Sequence, residues 1–160
     1  MDNNTDRNLV VDVKNLHISF KTFKGYSKVL NGVNLQVHKR ERIAIVGETG
    51  CGKTTTVSAI AQILAKQARI DKGEIFFNGK SVLKMNAKEL KKMRENGISI
   101  IFQDPIASLN PVFTIGNQMR EVIRYSGIDG ATDKNVQTER TIAALKETSM
   151  PDPERIMESY

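Results

Sequence analysis

The apolar positions change their period along the chain, and the changes divide it. Leu9-Val10-Val11-Asp12-Val13 and Leu16-His17-Ile18-Ser19-Phe20 alternate with period two, with Lys14-Asn15 between them. That pattern predicts antiparallel β-structure, with Lys14-Asn15 as a turn. Residues 1–8 before it read as a frayed terminus. Lys21 to Lys28, with Gly25, reads as a loop. Val29, Val33, Leu35 and Val37 predict a third strand with an irregularity at Asn31-Gly32. After His38-Lys39-Arg40-Glu41, the run Arg42-Ile43-Ala44-Ile45-Val46 is short and β-branched, as a buried parallel strand is. Val57, Ile60, Ala61 and Leu64 then follow the i, i+3, i+4, i+7 spacing of a helical stripe.

Further on, Asp71-Lys72-Gly73 predicts a turn, Glu74-Ile75-Phe76-Phe77 a strand, and Asn78-Gly79 a hairpin turn. Asn86 and Glu89 have capping-box spacing and open a helix through Leu90 and Met93, with Gly97 as its stop. Ile98-Ser99-Ile100-Ile101-Phe102 reads as a second buried strand. From residue 104 the pattern is loop and then helix. Ile115, Met119, Val122 and Ile123 form one stripe. Asp133 to Thr148 carries a weaker one through Val136, Ala143 and Ala144. Asp152 and Pro153 have the N-cap and first-turn chemistry of a last helix. The reading is α/β up to residue 103 and all-α over 104–160.

Between the strand ending at Val46 and the helix lies Gly47-Glu48-Thr49-Gly50-Cys51-Gly52-Lys53-Thr54. It matches G-x-x-x-x-G-K-[ST], the phosphate-binding loop of P-loop nucleoside triphosphatases. Strand, glycine loop and helix is the order this chemistry needs. Gly47, Gly50 and Gly52 permit positive φ and close approach of backbone to ligand. Successive N–H groups form an anion nest, and the helix adds its positive end. Lys53 is expected to reach the β- and γ-phosphates of ATP, and the Thr54 hydroxyl to ligate Mg²⁺. Thr55 is placed to donate to the α-phosphate. Thr49 and Cys51 complete the loop, and Glu48 points its carboxylate to solvent. A parallel sheet covered by helices, the RecA-like form of the P-loop fold, follows from strand, helix, strand around such a loop.

Bulk properties narrow the class. The 160 residues suffice for about one domain, and no stretch approaches the length of a membrane span. The polar N-terminus is not that of a secretory signal, and a single cysteine suits a reducing compartment. The net charge of +6 comes from 24 basic and 18 acidic residues. The lysines read as scattered rather than interleaved with aromatics, so no nucleic-acid partner is expected. His17 and His38 lack neighbours at ligand spacing and suggest no metal site.

Taken together, Gly47–Thr54, Gly73-Glu74-Ile75-Phe76-Phe77-Asn78-Gly79 and Ile101-Phe102-Gln103-Asp104-Pro105 resemble the nucleotide-binding domain of ATP-binding cassette (ABC) proteins. Ala107-Ser108-Leu109-Asn110-Pro111, Thr114-Ile115-Gly116 and Pro151-Asp152-Pro153-Glu154-Arg155 are similar to the oligopeptide, dipeptide and nickel importer branch. The resemblance implies a P-loop α/β core with an N-terminal antiparallel β subdomain, followed by the start of a helical subdomain that docks on a permease. It implies that Gln103 contacts Mg²⁺ and the water near the γ-phosphate. Phe20 is the implied aromatic that stacks on adenine, with Phe23 and Tyr26 as alternates. It further implies a second ATP-binding subunit, integral membrane permease subunits, an indirectly coupled solute-binding protein, and a peripheral position on the cytoplasmic face of the cell membrane. The signature loop, the magnesium aspartate with its catalytic glutamate, and the switch histidine of that family come later than any residue here. The expectation is therefore an N-terminal half.

Three other readings stand beside this one. A soluble ABC or other P-loop ATPase would act away from a permease. A nucleotide-binding module would never turn over. A non-ABC enzyme would use Asp104, after the second buried strand, as its magnesium carboxylate.

Overall fold

The computed structural model describes residues 8–160; the expectation for residues 1–7 lies outside them. One compact unit runs to Lys92 and a second from Met93 to Tyr160.

The first unit is built on a four-stranded antiparallel sheet. Its strands are β1 (Leu9–Thr22), β2 (Gly25–His38), β3 (Ala68–Phe77) and β4 (Lys80–Ser81), in the order β2-β1-β3-β4. Central β1 is one strand of 14 residues, not two strands joined at Lys14-Asn15. A tight two-residue hairpin turn needs positive φ at both central residues, or at a leading glycine. Of this pair Asn15 alone has it, at φ 48°. The pair is instead an irregularity in a continuous strand, with the register shifting on both neighbours. Asn34 Oδ1 accepts from the Asn15 N–H at 2.9 Å, and Asn15 Oδ1 lies 2.9 Å from His17 Nε2. On the other side, Gly73 faces the same place at φ 105°. A Cβ there would come within 2.5 Å of the Asn15 carbonyl oxygen. Asp71-Lys72-Gly73 is therefore strand rather than turn, and glycine is what lets β3 pass the bulge.

The expected loop at 21–28 shrinks to Phe23-Lys24, because Thr22 pairs with Gly25. The Asn78-Gly79 turn forms as expected, with φ 48° and 75° and Phe77 opposite Lys80. Leu16, Ile18 and Ile75, each 0% exposed, and Val13 and Val82 are the buried core of this unit. Helix α1 (Lys53–Ile60) buries Thr56, Ala59 and Ile60. Of the predicted stripe, Ile60 and the C-cap residue Ala61 are buried as expected, whereas Val57 is exposed and Leu64 lies beyond the helix end.

The parallel strands expected at Arg42–Val46 and Ile98–Phe102 do not form. Neither segment is paired, and Val46 and Ile101 are 91% and 89% exposed. A β-branched run suits a pleated, half-buried surface but does not create one. Among the described residues no parallel neighbour offers either segment its hydrogen bonds.

Helix α2 (Ala87–Asn96) contains the unit boundary and opens with the expected capping box. Asn86 Oδ1 accepts from the Glu89 N–H, and Glu89 Oε2 from the Asn86 N–H, both at 3.0 Å. At its end the N–H groups of Gly97 and Ile98 both reach the Met93 carbonyl.

The second unit packs α3 (Ile115–Arg124), α4 (Lys134–Glu147) and α5 (Pro153–Glu158). Thr114, Asp133 and Asp152 cap them, and Pro153 stands in the first turn of α5 as predicted. The buried face of α4 is Gln137, Thr141 and Leu145, at i, i+4, i+8, rather than the Val136, Ala143 and Ala144 stripe. Two of these are polar. The Thr141 hydroxyl bonds the Gln137 carbonyl, and the Gln137 amide bonds the Ala131 carbonyl at 2.7 Å, so neither loses its hydrogen bonds on burial. In α3, Val122 is 72% exposed while Gly116 is buried. A Cβ on Gly116 would meet the Met157 carbonyl oxygen at 2.8 Å, so the glycine permits close contact with α5.

Candidate functional site

The glycine loop bridges the extended Arg42–Val46 segment and α1. Gly50 and Gly52 take φ 83° and 98°, a left-handed conformation that side chains resist. Gly52 is the N-cap of α1, and its carbonyl accepts both the Thr56 N–H at 2.9 Å and the buried Thr56 hydroxyl at 3.0 Å. Underneath, the space a Cβ would need on Gly52 is taken by the Leu30 side chain, 2.5 Å away. Leu30 belongs to β2, so the sheet supports the loop from below. No local pattern marks Leu30 for this, because the contact joins residues far apart in sequence. Gly47 has a different constraint: a Cβ would meet Cys51 Sγ at 2.7 Å.

Lys53 begins α1 and turns its ammonium back over the loop. Nζ donates to the carbonyls of Gly47 and Glu48, each at 2.7 Å, and lies 3.6 Å from Cys51 Sγ. A cation is thereby held at the mouth of a glycine-rich turn, at the positive end of a helix dipole. Thr54 is exposed on the first turn and Thr55 is half-buried beside it. Glu48 and Cys51 are exposed. The arrangement can accept an anion through backbone N–H groups and one ammonium. The Thr54 hydroxyl suits a hard cation held against that anion.

The remaining expected site residues lie elsewhere. Phe20 is half-buried in β1, opposite Ser27 and Ala68. Phe23 is fully exposed at the hairpin turn, and Tyr26 carries the Arg69 guanidinium 4.1 Å from its ring centroid. Gln103 is exposed in the second unit, in the irregular stretch before a short 3-10 turn at Ile106–Ser108. Its neighbour Asp104 accepts the Ala107 N–H at 3.2 Å and so stabilises that turn.

A glycine loop leading into a helix beside an antiparallel sheet is the local arrangement here, and solved ATP-binding cassettes share the fold. The dimeric post-hydrolysis structure of the ATP-binding cassette MJ0796 bound to ADP and Pi matches with a TM-score of 0.77 at 23% identity. The match covers 93% of this chain and 60% of that one. The cbiO1 structure from Clostridium perfringens matches with a TM-score of 0.64 at 24% identity, covering 95% and 53%.

The sequence profile described as ABC transporter matches residues 30–159, and the chain belongs to that family. A probable peptide ABC transporter ATP-binding protein, y4tR of Sinorhizobium fredii, is 35% identical over the whole chain and 47% of its own length. The dipeptide transport ATP-binding protein DppD of Lactococcus lactis is 36% identical over 94% of the chain and 43% of its own length. The oligopeptide transport ATP-binding protein OppD of Escherichia coli is 35% identical over 94% and 44%. The chain thus spans about half the length of the curated relatives it matches.

Proposed function

We propose that this chain is the nucleotide-holding part of the ATP-binding subunit of a peptide-type ABC importer. The observation that carries the reading is the glycine loop. Two left-handed glycines, a helix N-terminus and the Lys53 ammonium converge on one turn supported by Leu30. Gly47 through Gly52 cradle the phosphates, Lys53 neutralises the β- and γ-phosphates, and Thr55 donates to the α-phosphate. Mg²⁺ would be held by Thr54 and, when bound, would neutralise phosphate charge; a role for Gln103 toward it rests on the family resemblance alone. Phe20 is the adenine-stacking aromatic by the same resemblance. In the complete subunit the reaction is transfer of the γ-phosphoryl group to water, achieved by positioning and charge neutralisation.

The relatives are named as transport ATP-binding proteins, which supports permease subunits as partners; a second ATP-binding subunit and, indirectly, a solute-binding protein rest on the family resemblance alone. Among the described residues no helix is long and apolar enough to cross a membrane. A peripheral position at the cytoplasmic face, held by the permease, fits both points.

Titration of the chain with a fluorescent ATP analogue and Mg²⁺ tests the reading. Lys53→Ala should lower affinity at least about tenfold, the loss of one charge-assisted contact; unchanged affinity would sink the proposal. Asp104→Asn separates it from the non-ABC alternative. With Asp104 committed to the Ala107 N–H, that exchange leaves Mg²⁺-dependent binding nearly intact. Were Asp104 the metal's carboxylate, the dependence would disappear.

A further inference from the structure

The lysines that read as scattered in sequence gather in the fold. Around the β1–β2 hairpin, Lys21, Phe23, Lys24, Tyr26 and Lys28 are exposed, and β3 adds Arg69 and Lys72 beside them. The register explains the clustering. Tyr26 sits opposite Lys21, while Lys28 and Arg69 both sit opposite Ser19. Lys21 and Ser19 are two apart on β1 and share a face of the sheet. Tyr26, Lys28, Arg69 and Lys72 line one shallow concavity of about 290 Å³, with Ser19 and Leu30 among its lining.

The carboxylate in this cluster is Asp71. Its Oδ1 accepts the Arg69 Nε–H at 2.7 Å. The nearby Ser19 hydroxyl, which makes no geometric hydrogen bond, and then Arg69 and Lys28 hold its carboxyl below the usual aspartate range. Asp71 is thus one negative charge against Lys21, Lys24, Lys28, Arg69 and Lys72, and the cluster stays positive. Phe23 is 111% exposed at the hairpin turn, between Thr22 and Lys24. A large apolar ring fully exposed at a two-residue turn, with Lys21 and Lys24 close by in sequence, has no folding role to explain it.

We propose that this hairpin is a contact surface for an anionic phospholipid bilayer. Phe23 enters the headgroup boundary as an apolar wedge, and Lys21, Lys24, Lys28 and Lys72 face lipid phosphates. Charge complementarity selects an anionic partner. The aromatics select between the two large anionic classes. Single-stranded nucleic acid needs ring faces on which successive bases stack. The Tyr26 face is already covered by Arg69, and Phe23 is one ring at an apex, not a platform. A wedge among cations fits a lipid interface.

The chain has no tryptophan, so Phe23→Trp adds a single fluorescent reporter at the proposed depth. With vesicles of phosphatidylcholine containing about 30% phosphatidylglycerol, its emission should shift to the blue at low salt; with phosphatidylcholine alone it should not. The wild-type chain should co-sediment with the first vesicles and be released as salt rises. The triple variant Lys21→Gln, Lys24→Gln, Lys28→Gln should bind about 100-fold more weakly, about fivefold for each lysine.

Three results would overturn the proposal: equal binding to both vesicle types, an unmoved emission from the Phe23→Trp variant while it co-sediments, or full binding by the triple variant. Tighter binding to a single-stranded oligoribonucleotide than to the anionic vesicles would overturn it in favour of nucleic acid. The triple variant should keep wild-type nucleotide affinity, and Lys53→Ala should keep vesicle binding. The surface and the nucleotide loop can therefore fail separately.

Discussion

Two apolar β-branched stretches of the first unit meet opposite fates. Val13 to Ile18, in β1, lies between two hydrogen-bonded neighbours and contains the best-buried side chains of the unit. Arg42–Val46 is the more β-branched, with Ile43, Ile45 and Val46 in five residues against Val13 and Ile18 in six, yet it has no ladder partner and leaves Val46 almost wholly in solvent. Composition alone would favour the stretch that does not pair. Pairing decides, since a strand is stable only when its backbone groups and both faces find partners. Apolar sequence therefore marks where a strand can form, and the neighbours decide whether it does.

Truncation gives the largest contrast. Leu16→Ala should cost about 2–5 kcal/mol in urea unfolding, because it leaves a cavity in a sheet paired on both sides. Val46→Ala should cost under about 0.5 kcal/mol, as at other exposed positions. Equal losses would mean that Arg42–Val46 is packed in solution and would erase the contrast. Next comes Gly73, where the sheet passes its own bulge. Gly73→Ala places a methyl against backbone atoms of Lys14, Asn15 and Leu16 at an unfavourable φ, and should cost on the order of 3 kcal/mol. Gly79→Ala, also at positive φ but in open space, should cost only about 1 kcal/mol. The difference between the two isolates the steric part.

Legibility from sequence follows the same division. Signals complete within a few residues are readable without the fold. The glycine loop entering α1, the Asn78-Gly79 turn, the Asn86–Glu89 capping box and the Asp152-Pro153 helix start are all of this kind. Features that depend on residues distant in sequence are not. Lys14-Asn15 looks like a turn because the bulge depends on Asn34 and Gly73. The buried face of α4 is rotated from its predicted stripe, and Val57 of the α1 stripe is left exposed, because neighbouring elements, not a helix's own periodicity, choose which side is covered. The support that Leu30 gives Gly52 leaves no trace in the pattern at all. The capping box also offers a measure of what a local signal contributes. Asn86→Ala should remove about 1 kcal/mol of stability, read from the same unfolding curves. That is well below the loss at Leu16 despite the clearer sequence signature.

The smallest predicted effect lies at the point where pairing stops. Lys39 donates to the Asn8 carbonyl at 2.8 Å, the last bond tying this edge to the sheet. Arg40 then takes φ 64°, and Glu41 folds back on His38. Glu41 Oε2 accepts the His38 backbone N–H at 2.6 Å and lies 3.0 Å from its Nδ1. The backbone bond, followed by the side-chain contact, holds the Glu41 carboxyl below its ordinary value. A carboxyl depressed in the folded state binds fewer protons there than in the unfolded chain. Its contribution is therefore present above the ordinary glutamate range of about 4.3, and is lost as the pH falls through the lower folded value. Glu41 is exposed, so the effect on global stability is slight and local structure is the better readout. In a carbon-detected NMR titration, the Glu41 carboxyl should titrate below the ordinary glutamate value of about 4.3. The His38 amide should move with the same midpoint, and Glu41→Gln should abolish that movement. A midpoint for Glu41 at the ordinary value would mean that the turn does not hold in solution. The sheet would then lose its defined end before Arg42, and the contrast between paired and unpaired stretches would become a gradient.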